Sequence, residues 1–151
     1  AVADLIQRRG INAACKGADM QTAILYIATA VVFLGLDAVM LKTVMRPVFE
    51  SHISLFLRED LNILPAVIFY LFYVAGVLFF VSVPALNAGS ATAALLPAAI
   101  LGAMAYGTYE FTNFATLKGW HWQMVTLDVV WGAALTAISA YAGLKITQLL
   151  T

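Results

Sequence analysis

Three carboxyls are the residues of this chain with chemistry to offer, because each interrupts a long apolar run. Asp37 is the only charge in Met20–Leu41, Asp128 is the only one inside Trp122–Leu144, and Glu110 comes after a stretch from Leu61 to Tyr109 that carries no charge at all. A charge at the centre of a membrane-spanning helix costs about 2.5–3.5 kcal/mol on insertion scales, so such residues turn inward and mark functional sites. Clustered carboxyls in a low dielectric are also costly to ionise together; a cation, a lysine or a shared proton relieves them. Proton or cation handling is the chemistry this set allows, with Lys42 and Lys118 as the charge-compensating candidates.

Helical spacing brings further groups to the same faces. Gly102, Tyr106, Glu110 and Asn113 recur at i, i+4, i+8 and i+11, and Asp128, Gly132, Thr136, Ser139 and Gly143 obey the same rule, as do Tyr26, Thr29, Phe33 and Asp37. Small residues on such faces let helices approach closely, and hydroxyls bond across them. The expected site is a polar pocket lined by Asp37, Tyr106, Glu110, Asn113 and Asp128. The bland alternative is packing with interhelical hydrogen bonds.

The elements that position these residues are set by length and hydropathy. A spanning helix needs about 20 apolar residues. Four runs qualify, at about 20–42, 61–86, 91–113 and 122–145, with Pro84 and the turn cluster Asn87-Ala88-Gly89-Ser90 separating the second from the third. None alternates as barrel strands do. The sequence therefore predicts an all-α fold, a four-helix transmembrane bundle. Alternating span directions place Asp37, Glu110 and Asp128 toward one membrane face. Between the first two spans, Arg46–Asp60 reads as a short amphipathic segment in the interface, with Val48, Ile53, Phe56 and Leu57 on its apolar face, Glu50, Ser54, Arg58 and Glu59 largely elsewhere, and Pro47 in its first turn. The rings of the second span (Phe69, Tyr70, Phe72, Tyr73, Phe79, Phe80) point all round the helix, so that helix is expected at the periphery, meeting lipid or a partner.

The composition excludes much else. Of 151 residues, 63% are hydrophobic and 11% charged, against about 25% charged in a soluble domain. The net charge is zero, which offers no field for nucleic acid. The single cysteine, Cys15, rules out an intrachain disulfide and a cysteine-based metal site. Residues 1–19 carry Asp4, Arg8, Arg9, Lys16 and Asp19 without the apolar core of a signal peptide. They are expected to be a leader or extension outside the membrane domain 20–151, with Met20 as a possible start. If they are set aside, Lys42, Arg46, Arg58 and Lys118 outweigh Lys145, so the loops between spans one and two and between spans three and four are assigned to the cytoplasm of a bacterial inner membrane.

Several segments together resemble a known family. They are the Asp at the end of span one, FYLFYVAG at Phe69–Gly76, Pro84-Ala85-Leu86, the long block YEFTNFATLKGW at Tyr109–Trp120, and Asp128-Val129-Val130-Trp131-Gly132. They resemble the bacterial integral membrane proteins grouped as domain-of-unknown-function family two-one-seven-seven, over Met20 to about Lys145. The resemblance implies a four-helix membrane fold. Its members usually carry Asp where Glu110 stands, so the carboxyl is kept with a longer reach. Within the block, Tyr109, Trp120 and Trp122 fit an interfacial aromatic belt, Asn113 a helix-end cap and Lys118-Gly119 a terminal turn.

Function is read by class. His52 and His121 lie on the carboxylate side, but no His-x-x-x-His or Glu-x-x-His spacing supports a metal, and no sequence signal indicates a cofactor. No GxSxG, Walker or dinucleotide fingerprint is present in a suitable context. The favoured reading is a binding or accessory subunit with a cytoplasm-facing carboxylate pocket, whose partners are the bilayer and other membrane subunits or a second copy. The alternatives are a small proton- or cation-linked transporter, or an enzyme acting on lipid head groups or acyl chains.

Overall fold

The computed structural model describes residues 2–58, 60 and 62–151, with backbone alone at 2–5 and 56. The expected placements of the Phe56 ring and Glu59 in the amphipathic segment, and of Leu61 at the start of span two, lie outside the described residues. All regular elements among the described residues are helical: α1 Val2–Met40, α2 Arg46–Ile53, α3 Ile63–Val77, α4 Val83–Asn87, α5 Leu95–Thr116 and α6 Trp122–Leu150. Among the described residues, four stretches are long and apolar enough to cross a membrane: Ile6–Ile53, Ile63–Asn87, Ala91–Thr116 and Trp122–Leu150.

Two of these stretches contain a wide, π-helical turn, at Leu41–Met45 between α1 and α2 and at Leu78–Ser82 between α3 and α4. Each stands just before a proline, Pro47 or Pro84. A proline within a helix lacks the N–H that would bond four residues back, and its ring crowds that carbonyl. The wide turn takes up the misfit: Arg46 N–H donates to Leu41 O, and Val83 N–H to Leu78 O. The sequence reading gives Pro47 to a separate interfacial helix. In the structure, α2 instead continues α1 through the wide turn and ends only at Ile53. α1 likewise runs without a break through residues 19 and 20.

α1 and α5 flank α6, and α3 packs at the edge of this trio. The core holds Leu25, Phe33, Val74, Val77, Leu135 and Leu144. Each expected stripe faces inward, with Thr29, Phe33, Asp37, Gly102, Glu110, Gly132, Thr136, Ser139 and Gly143 all buried. On α3 and its continuation, Phe69, Phe72, Phe79 and Phe80 are exposed while Tyr73 turns in, which puts one side of this span at the surface. A second apolar cluster (Ile53, Trp120, Met124 and Val125, with Val48, Phe49 and Leu57 against it) ties α2 to the start of α6. The apolar side of the amphipathic segment thus packs on protein.

Candidate functional site

Glycines bring the site's helices together. A Cβ on Gly102 would overlap the carbonyl of Gly132, one on Gly132 would overlap the Tyr106 ring, and one on Gly143 would overlap the Thr29 hydroxyl. The backbones of α5 and α6 therefore lie close, with Tyr106 filling the notch over Gly132. One turn further along α5, Glu110 faces the start of α6.

Glu110 is completely buried. Its Oε2 accepts a 2.7 Å hydrogen bond from Trp120 Nε1. Its Oε1 has no donor, and the Asp128 carboxyl lies within hydrogen-bonding reach of Glu110. Two carboxylates offer only acceptors, so a bond between them needs a proton on one. Asp37 is 8% exposed, and its Oδ1 accepts from Trp131 Nε1 at 3.1 Å. Trp131 stands three residues after Asp128, on the same side of α6. Tyr70 of α3 lies beside both Asp37 and Tyr106. The Tyr106 hydroxyl is buried without a bond partner of its own.

The structure thus joins Glu110 with Asp128 and places Asp37 and Tyr106 beside them. Asn113 is part-buried, and its side chain neighbours the Tyr109 hydroxyl. Lys42 and Lys118 are exposed, and neither pairs with a carboxyl of the cluster among the described residues. Lys42 comes five residues after Asp37, within the wide turn, and Lys118 sits in the turn after α5. Compensation comes from two indole N–H groups instead. His52 and His121 meet at a tilt, with ring centroids 4.8 Å apart. His52 Nδ1 engages Val48 O, and His121 Nδ1 accepts from Gln123 N–H as the cap of α6.

Trp120 departs most from its sequence expectation. An interfacial belt would leave it exposed, but it is 8% exposed. The chain leaves α5 at Thr116 and turns through Gly119, whose φ of +86° suits only glycine. That turn drops the indole onto Phe49 and Tyr109, with edge-on centroids at 5.4 and 5.9 Å, and over Glu110. Tyr109 and Trp122, by contrast, are 55% exposed. In place of an open pocket, the carboxyls form a closed cluster roofed by Trp120. Beside the roof lies a cavity of about 80 Å³ lined by Ile53, Leu117, Lys118 and Trp120.

Among known proteins, the family model described as predicted membrane protein (DUF2177) matches residues 22–145, which contain every member of the cluster. No curated protein and no solved structure matches the chain.

Proposed function

This chain belongs to the DUF2177 family of predicted membrane proteins, and we propose that it binds and releases a proton at the Glu110–Asp128 pair. The observation that carries this reading is a fully buried Glu110 whose free oxygen has no donor and whose neighbour is a second carboxyl. One proton held between the two supplies the missing donor and removes the repulsion of like charges. Trp120 and Trp131 supply neutral hydrogen bonds, and among the described residues no lysine takes the proton's place. The pair lies at the end of the bundle near Lys42, Arg46, Arg58 and Lys118, which, with Arg8, Arg9 and Lys16 set aside, the positive-inside rule puts in the cytoplasm of a bacterial inner membrane. Proton-linked transport fits this arrangement better than chemistry on a lipid, because Glu110 is completely buried beneath Trp120, out of contact with a lipid head group.

The test is infrared difference spectroscopy of the protein in nanodiscs as pH is raised. A carboxylic-acid carbonyl band should fade with rising pH and be missing in both Glu110→Gln and Asp128→Asn. A parent without such a band, or a band that survives both substitutions, overturns the reading.

A binding or accessory role for another membrane subunit or a second copy is the other reading. It draws on the exposed rings Phe69, Phe72, Phe79 and Phe80, and it would give a defined partner on purification in native lipid that is lost in Phe72→Ala/Phe79→Ala.

A further inference from the structure

Below the carboxyls, α6 carries a buried polar line. Gly132, Thr136, Ser139, Gly143 and Thr147 continue the face of Asp128, and all five are buried. From Asp128 to Thr147 the helix rises about 28 Å, close to the roughly 30 Å of a bilayer's hydrocarbon core. Neighbouring helices add hydroxyls along it. Tyr73 Oη of α3 is 3.1 Å from Thr136 Oγ1, and Thr29 of α1 sits against Gly143. Ser82 lies nine residues past Tyr73 on a chain parallel to α6, roughly 13 Å further on, which is the level of Gly143 to Thr147. At the far end, Thr151 Oγ1 donates to Thr147 O at 2.7 Å and accepts from Gln21 Nε2 at 3.0 Å.

These hydroxyls divide into two kinds. Thr136 and Thr147 each donate to the carbonyl one turn back, at 2.8 Å, the usual way a hydroxyl is satisfied inside a helix. Thr29, Ser82 and Ser139 are 1%, 0% and 0% exposed, and their hydroxyl oxygens have no bond partner. Each such group left unpaired in an apolar core is destabilising. Alanine would fill the serine positions without that cost. Three orphan hydroxyls on three different elements, beside one polar line, each call for a partner, and water is one that a buried hydroxyl commonly takes.

We propose that this line is a water-bridged proton path joining the Glu110–Asp128 pair to the Gln21–Thr151 end of the bundle. The path rests on the reading of that pair as a proton site. Tyr70 and Tyr106 lead from the carboxyls toward Thr136, and Ser139, Thr29 and Ser82 carry the line onward. At each step a hydroxyl or water oxygen accepts a proton on a lone pair and passes on one of its own. One proton therefore crosses, every O–H bond is restored, and no redox partner is needed. The carboxyl pair supplies or takes up that proton at its end.

The test uses the full chain in vesicles of phosphatidylcholine and phosphatidylglycerol with pyranine trapped inside. A potassium gradient with valinomycin supplies the driving potential. The parent should acidify or alkalinise the lumen well above empty vesicles. Ser82→Ala/Ser139→Ala should lower the proton flux at least tenfold while the carboxylic-acid infrared band persists and resistance to unfolding in dodecyl sulfate is unchanged or higher. Ser90→Ala, which removes a surface hydroxyl at the hairpin, should leave the flux as it is. A parent that conducts no better than empty vesicles, or a double variant that conducts like the parent, overturns the path. In either case an intact infrared band leaves the proton pair standing, whereas a parent without that band overturns the pair and with it the path that ends there.

Discussion

Replacing Glu110 by Gln should change the slope of stability against pH more than the stability itself. Gln keeps the length and shape of the side chain; its oxygen can accept from Trp120 Nε1, and its N–H₂ can donate to Asp128. It therefore imitates a Glu110 that holds the shared proton. Two ionised carboxyls at about 4 Å would repel by roughly 4 kcal/mol at an effective dielectric of 20. If the folded parent carried both charges, the Gln variant would be more stable by several kcal/mol. If the pair holds one proton, the variant should lie within about 1 kcal/mol of the parent near neutrality. The sign of the pH dependence is then fixed. A folded state that binds one more proton than the unfolded chain loses about 1.4 kcal/mol of stability per pH unit as pH rises, over the range in which the unfolded chain has already released it. The variant should lose that slope, and Asp128→Asn should lose it too, without adding to the first, because the two residues share one proton. Equilibrium unfolding in dodecyl sulfate, monitored by tryptophan fluorescence between about pH 5 and 8, reads this out. The chain has three tryptophans, and two of them, Trp120 and Trp131, donate to carboxyls of the cluster. A parent stability that is flat with pH, or a slope kept by both variants, would refute the shared proton.

Trp120→Phe should keep the edge contacts with Phe49 and Tyr109 but strip the donor from Glu110, lowering stability by about 1.5–3 kcal/mol in the same unfolding assay. Gly132→Ala pushes a methyl into the Tyr106 ring and should cost about 1–3 kcal/mol, whereas Gly76→Ala, with nothing within 4 Å, should be close to neutral; equal effects of the two would refute the tight α5–α6 approach. In a Cys15→Ser background, a cysteine at Asn87 should react with an impermeant maleimide from outside intact cells, and one at Lys118 only after lysis; the reverse pattern would invert the proposed orientation.

The inward stripes were legible because helical period and small-residue spacing are local properties of the sequence. Gly102 and Gly132 had to lie where helices touch, and Glu110 shares the helical face of Gly102. The donors were not legible. A tryptophan next to a loop reads as an interfacial anchor, and only the turn at Gly119 aims Trp120 inward. Tyr70 belongs to a run of rings that points in every direction, so nothing local singles it out as the neighbour of Asp37. Counting charges near a carboxyl carries no angle: Lys42 is close to Asp37 along the chain, yet it is exposed and unpaired with the cluster among the described residues. Pro47 is opaque in a similar way. A proline is read as a boundary, and the wide turn that lets a helix run on through it leaves no composition signal.

Those wide turns also set the rotational phase of the helix beyond them. Ile53 comes sixteen residues after Asp37, which in an unbroken α-helix would put it about 160° away. The one residue absorbed at Leu41–Met45 takes back about 100° and leaves Ile53 about 60° from Asp37, near enough for both to be buried on the α6 side. From Tyr73 to Ala85 the same arithmetic reduces about 120° to about 20°, so both are buried. Each proline thus comes with a rotational correction just upstream, and the extra residue acts as a spacer in angle more than in length. Losing a single residue from either turn would leave hydropathy and span length almost untouched, yet it would turn the remainder of that helix by more than a quarter of a revolution, carrying Ile53 away from Trp120 or Ala85 out of the core.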